Sequence, residues 1–112
     1  MLENKKFDMT PIYEAMSAMQ KSIRRNDLEK AYYFALKVEE FNPKMLWNRL
    51  QIIVSEDIGP ANPNLPMTFE IIKKWYFDDL NKGSTGQLFL SHMIALMASG
   101  PKSRDADNLI YA

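Results

Sequence analysis

Apolar residues recur along this chain at steps of three and four, the period of helices with one buried face. Thr10 followed by Pro11 reads as a hydroxyl cap and a first-turn proline. Ile12, Ala15, Met16, Met19 and Ile23 then form a stripe, and Lys21, Arg24 and Arg25 occupy a last turn where cations suit the helix dipole. This predicts a first helix from about Pro11 to Arg25. Asn26-Asp27 restarts the chain. Leu28, Ala31, Tyr32, Ala35 and Val38 mark a second helix ending near Phe41, and Tyr33, Phe34 and Leu36 widen its apolar face. Asn42-Pro43 repeats the cap-plus-proline signal. Met45, Leu46, Leu50, Ile53 and Val54, with Trp47 and Ile52 beside them, carry a third helix to Gly59-Pro60. A loop through Pro66 precedes a fourth helix over about Met67 to Leu80, with Phe69, Ile72, Trp75, Tyr76 and Leu80 inside. A fifth helix is expected from about Thr85 to Ser99, with Leu88, Phe89, Met93, Ile94 and Met97 inside. A short sixth begins after Ser103 and contains Leu109 and Ile110.

No useful strand alternation occurs, so the fold class expected is all-α: one domain of five to six helices in an antiparallel bundle. The chain has 112 residues, which is one domain at about 100–200 residues each. Residues 1–9 read as an N-terminal extension to it. A composition of 46% hydrophobic and 25% charged residues fits a folded globule rather than disorder.

Fourteen basic residues balance fourteen acidic ones, which excludes a strongly basic nucleic-acid coat but not a local patch. Without cysteine there is neither a disulfide nor a thiolate site. One histidine, His92, argues against a histidine metal cluster or a Ser–His pair. No cofactor is expected. Gly83-Ser84-Thr85-Gly86 lacks the strand and lysine of a phosphate loop and reads as a turn. No apolar run is long enough to span a membrane and the N-terminus has no signal core, so a cytoplasmic location without membrane contact is expected.

Two charged clusters remain. Ser55-Glu56-Asp57 places carboxylates at a helix C-terminus, where they oppose the dipole at a cost of about 0.3–1 kcal/mol unless a cation offsets them. Neighbouring side chains on an α-helix diverge by about 100°, so Glu56 and Asp57 are not expected to share one metal or act as a paired acid and base. Lys21-Ser22-Ile23-Arg24-Arg25 supplies cations of the required kind, and Arg49 and Lys102 are further candidates. Lys73-Lys74 beside Trp75-Tyr76 resembles a single-strand stacking surface, although solvated lysines flanking a core stripe give the same pattern.

Three segments, Met19-Gln20-Lys21-Ser22-Ile23-Arg24, then Ile53-Val54-Ser55-Glu56-Asp57-Ile58-Gly59 with Pro63 beyond, then Gly100-Pro101-Lys102-Ser103, together resemble the C-terminal helical region of the MgsA/RarA-type AAA+ ATPases. The resemblance spans roughly residues 12–104. Arg25, Gly100 and Arg104 depart from the family pattern. The resemblance implies a collar-like oligomerisation domain beside an ATPase module, acting in DNA replication, recombination and repair. Since ATP hydrolysis there belongs to a module absent from this sequence, no enzyme activity is expected. The expected partners are a second copy, as a dimer or tetramer, and an AAA+ ATPase partner or module, with DNA contacted weakly. Candidate interaction residues are Lys21, Arg24, Arg25, Ser55, Glu56, Asp57 and Lys102. The alternatives are a DNA-binding module with Lys21, Arg24, Arg25, Lys73, Lys74 and Lys102 as a phosphate track, or an adaptor for a full-length AAA+ relative.

Overall fold

A computed structural model describes residues 9–112, so residues 1–8 of the expected extension lie outside the described residues. Six helices follow one another: α1 (Thr10–Arg24), α2 (Leu28–Phe41), α3 (Pro43–Ile53), α4 (Leu65–Asn81), α5 (Gln87–Met97) and α6 (Asp105–Ile110). No strand occurs among the described residues. α1 and α2 form a hairpin, as do α4 and α5, and α2 packs against α1, α3 and α5. The all-α bundle expected from the hydrophobic period is the architecture observed.

The helix starts follow from their caps, with small shifts. Asp27 accepts the Lys30 N–H at 3.3 Å, and Asn42 accepts those of Lys44 and Met45 at 2.9 and 3.2 Å. Thr10 does not stand at the cap position. Met9 occupies it, and its carbonyl accepts the N–H groups of Ile12 and Tyr13. Proline is tolerated at either of the first two helical positions, so the proline signal leaves the boundary open by a residue. α4 likewise begins at Leu65, with Pro66 in its first turn and Leu65 buried. α5 starts two residues later than the spacing implied, because Gly86 adopts a left-handed conformation at φ +69° ahead of it.

One core unites the helices. Trp47 is fully buried, its ring 4.9 Å from Tyr76 and 5.5 Å from Phe69. Met16, Met19, Met93 and Met97 fill it from α1 and α5. Several positions assigned to the interior instead face out. Ile52, Trp75, Leu88, Leu28 and Tyr33 are all exposed. Their helices have broad apolar surfaces, and a small bundle supplies neighbours for only part of each.

A buried polar network ties α2 to α4 and α5. The Tyr76 hydroxyl donates to Glu39 Oε2 at 2.5 Å, Gln87 Nε2 donates to Glu39 Oε1 at 2.8 Å, and the Tyr32 hydroxyl donates to Gln87 Oε1 at 2.5 Å. Burial, and then the Glu39 carboxylate, raise the Tyr76 pKa far above its ordinary 10.0. Tyr32 is raised for the same two reasons. Native Tyr76 therefore keeps its proton where the unfolded chain loses it, and the stability this lends is present below about pH 10 and falls as the pH rises further. Urea titrations should show an alkaline decline above about pH 10 that is shallower in Tyr76→Phe.

Gly86 is fixed by the same ring. A Cβ there would lie 2.7 Å from Tyr76 Cδ1, and the positive φ disfavours any side chain. Gly86→Ala should cost about 2–3 kcal/mol in urea unfolding.

Candidate functional site

The most elaborate polar arrangement surrounds Asp57. Regular helix ends at Ile53, not at Gly59, and the chain continues as a single π turn over Val54–Ile58 and a 3₁₀ turn over Gly59–Ala61. A π turn inserts an extra residue and redirects the side chains after it, and such turns recur at functional sites. Here the redirection buries Asp57 completely. Glu56 and Asp57 accept from one donor: Gln20 Nε2 bonds Glu56 Oε1 and Asp57 Oδ2, both at 2.8 Å.

Two guanidinium groups meet the other carboxylate oxygen. Arg24 Nε and Arg104 Nη1 each donate to Asp57 Oδ1 at 3.0 Å. Arg104 Nη2 also bonds Asp107 at 2.7 Å, and this bond above all raises the Arg104 pKa; desolvation opposes it, and the Asp57, Asp107 and Glu56 charges add to the rise. The Ser103 N–H donates to the Asp57 carbonyl at 2.8 Å. Gly59, at φ +46°, lets the chain turn beneath this strap, with a position for a Cβ 3.6 Å from the Ser103 carbonyl.

A second knot secures the strap. Lys102 Nζ donates to Asn26 Oδ1, and both Lys102 Nζ and Asn26 Nδ2 donate to the Gly100 carbonyl at 3.1 Å. Burial lowers the Lys102 pKa, partly opposed by Asp57. Ser22 donates to the Ala18 carbonyl at 2.8 Å, and Ser103 Oγ accepts the Asp105 N–H, so both hydroxyls make local bonds.

The three segments singled out in the sequence thus meet. Gln20 and Arg24 come from the first, Glu56, Asp57 and Gly59 from the second, and Lys102 and Ser103 from the third. Arg24 is the cation that the acidic helix end required, and the pairing lies within one chain. Lys21, Arg25 and Ser55 are exposed and stand outside this bonded cluster. Arg104 was missed as a ligand of Asp57. It lies 47 positions from Asp57, and no period links the two. Of the cations proposed as a phosphate track, Arg24 is bound to Asp57, and Lys74 to Asp78 at 2.7 Å.

Every oxygen of the Asp57 carboxylate is engaged and no face of it is open. The arrangement clamps chain segments to one another. No group of three or more His, Cys, Asp or Glu residues able to hold a metal occurs among the described residues. No described helix is long and apolar enough to cross a membrane.

No family model matches this chain. It is 31% identical over 103 residues to an uncharacterised AAA domain-containing protein of Mycobacterium tuberculosis, a match covering 89% of this chain. The chain spans 22% of the length of that relative. It is therefore similar to one region of an AAA domain-containing protein.

Loss of either guanidinium leaves Asp57 with the other, whereas loss of both leaves a buried charge with no cation. Arg24→Met and Arg104→Met should each cost about 1 kcal/mol in urea unfolding, and the double variant about 3–5 kcal/mol, more than their sum. An additive result of about 2 kcal/mol would mean that the carboxylate does not depend on a cation.

Proposed function

We propose that this chain is a non-enzymatic helical interaction domain that works beside an AAA+ ATPase module in DNA replication, recombination and repair, resembling the C-terminal collar region of the MgsA/RarA type. It is one domain and acts in the cytoplasm by self-association, as a dimer or tetramer. The observation that carries this reading is the convergence of the three shared segments on Asp57. Residues that mark the resemblance serve here as a clamp holding the C-terminal segment to the helical body, a task of scaffold rather than of chemistry. The similarity to a region of an AAA domain-containing protein supports the same placement. The match does not extend across that relative, so the ATPase association is part of the proposal.

A nucleic-acid-binding module is the second reading, favoured by the exposed Lys21 and Arg25 at the end of α1. It requires affinity for single-stranded DNA that falls steeply with salt.

Size-exclusion chromatography with light scattering, over a tenfold concentration range and at two salt levels, tests the reading. A mass of two or four chains is expected. A monomer throughout overturns self-association, and salt-sensitive capture of single-stranded DNA by that monomer transfers the function to the second reading.

A further inference from the structure

Two shallow clefts meet at Ile52, a side chain 45% exposed on α3. One, of about 400 Å³, runs along α3 past Tyr13, Lys44 and Arg49, and no acidic residue lines it. The other, of about 350 Å³, lies between the π turn and α6, past Glu56, Asp107 and Ile110, and no cation lines it. Tyr13 and Ile110 add apolar surface, 56% and 75% exposed. On the acidic side Asp57 and Asp107 are ion-paired to Arg24 and Arg104, whereas Glu56 accepts from the neutral Gln20 amide and makes no ion pair among the described residues. Lys44 and Arg49 make no ion pair among the described residues.

A surface with a positive half, a negative half and an apolar centre is complementary to itself after a half-turn. Arg49 lies three positions before Ile52 and Glu56 four after it. Two copies of α3 laid antiparallel across Ile52 would therefore set each copy's Arg49 near the other's Glu56, with the isoleucines between them. That is the requirement of an isologous interface, in which one patch meets its own copy.

We propose that this face, α3 with the π turn and α6, is a twofold interface whose occupant is a second copy of this chain. The proposal rests on the self-association reading above and specifies its surface. Charge complementarity carries it: a neutral chain with opposite charges segregated on either side of an apolar point is repelled by itself in parallel and attracted antiparallel.

The test is light scattering on the wild type, Arg49→Glu, Glu56→Lys, Ile110→Asp and an equimolar mixture of the two charge variants, each confirmed folded by circular dichroism. Wild type should reach twice the monomer mass. Each charge reversal should weaken dimerisation by about tenfold or more, since it sets like charges together twice. The mixture should regain the dimer, because both contacts are then of opposite sign. Ile110→Asp, which leaves the Asp57 clamp untouched, should weaken the dimer as well, and it stands in for Glu56→Lys if that variant fails to fold. A wild type that assembles while Arg49→Glu and Ile110→Asp assemble equally well overturns this face and leaves self-association standing. A wild type that stays monomeric overturns both. A mixture that grows beyond two copies overturns the twofold geometry.

Discussion

A carboxylate with no exposed surface must be met by donors, and Asp57 draws them from two distant stretches of chain. Gln20 and Arg24 arrive from α1, and Arg104 from the segment before α6, while the Asp57 carbonyl takes the Ser103 N–H. Left unmatched, such a charge would cost several kcal/mol. The condition that satisfies it also fixes where α1 ends, how α3 terminates and where the last 10 or so residues run. α6 buries no side chain of its own. Its apolar contacts are limited to partly buried ones such as Ala106 at Gly59, and the polar contacts around Asp57 and the Lys102–Asn26–Gly100 knot hold the segment that leads into it.

The π turn is the local feature that makes this possible. A regular helix through residue 58 would turn Glu56 and Asp57 about 100° apart and keep both near solvent. The wider turn brings them to one amide and sends Asp57 inward. A left-handed Gly59 then reverses the chain below it. Backbone irregularity and buried charge are two sides of one arrangement, and neither is stable without the other. At the opposite end of the bundle the Glu39–Gln87–Tyr76 network serves a comparable purpose with neutral donors, and the left-handed Gly86 is again the residue that allows a ring to close over the chain.

Helices and caps were legible because they obey local rules. Asp27 and Asn42 bond the N–H groups that such caps bond, and the stripes of α1 and α3 are largely those that enter the core. The cation required by the acidic end of α3 was legible too, and Arg24 provides it. The π turn was not, since Val54 to Ile58 continues the helical period and only tertiary contacts select the wider turn. Arg104 was not, because its partner lies 47 positions away and no period links them. The exposure of Ile52, Trp75 and Leu88 was hidden for a similar reason. An apolar residue on a broad stripe declares that it prefers burial, not that a neighbour exists to bury it.

Ile52 is the residue at which these themes join. It stands two residues before the π turn, on the outer face of the helix whose inner face holds Trp47 and Leu50. On one side the cations of α3 make no ion pair among the described residues, and on the other lie the carboxylates of the π turn and α6. The acidic half combines Glu56 of the π turn with Asp107 of α6, and Arg104 bridges Asp57 to Asp107 beside it. A change that released Asp57 from Arg104 would thus loosen the α6 side of that face without altering any residue of α3. In a chain of zero net charge, the field at any one face comes from how charges are distributed rather than from how many there are, and the buried aspartate holds part of that distribution in place here.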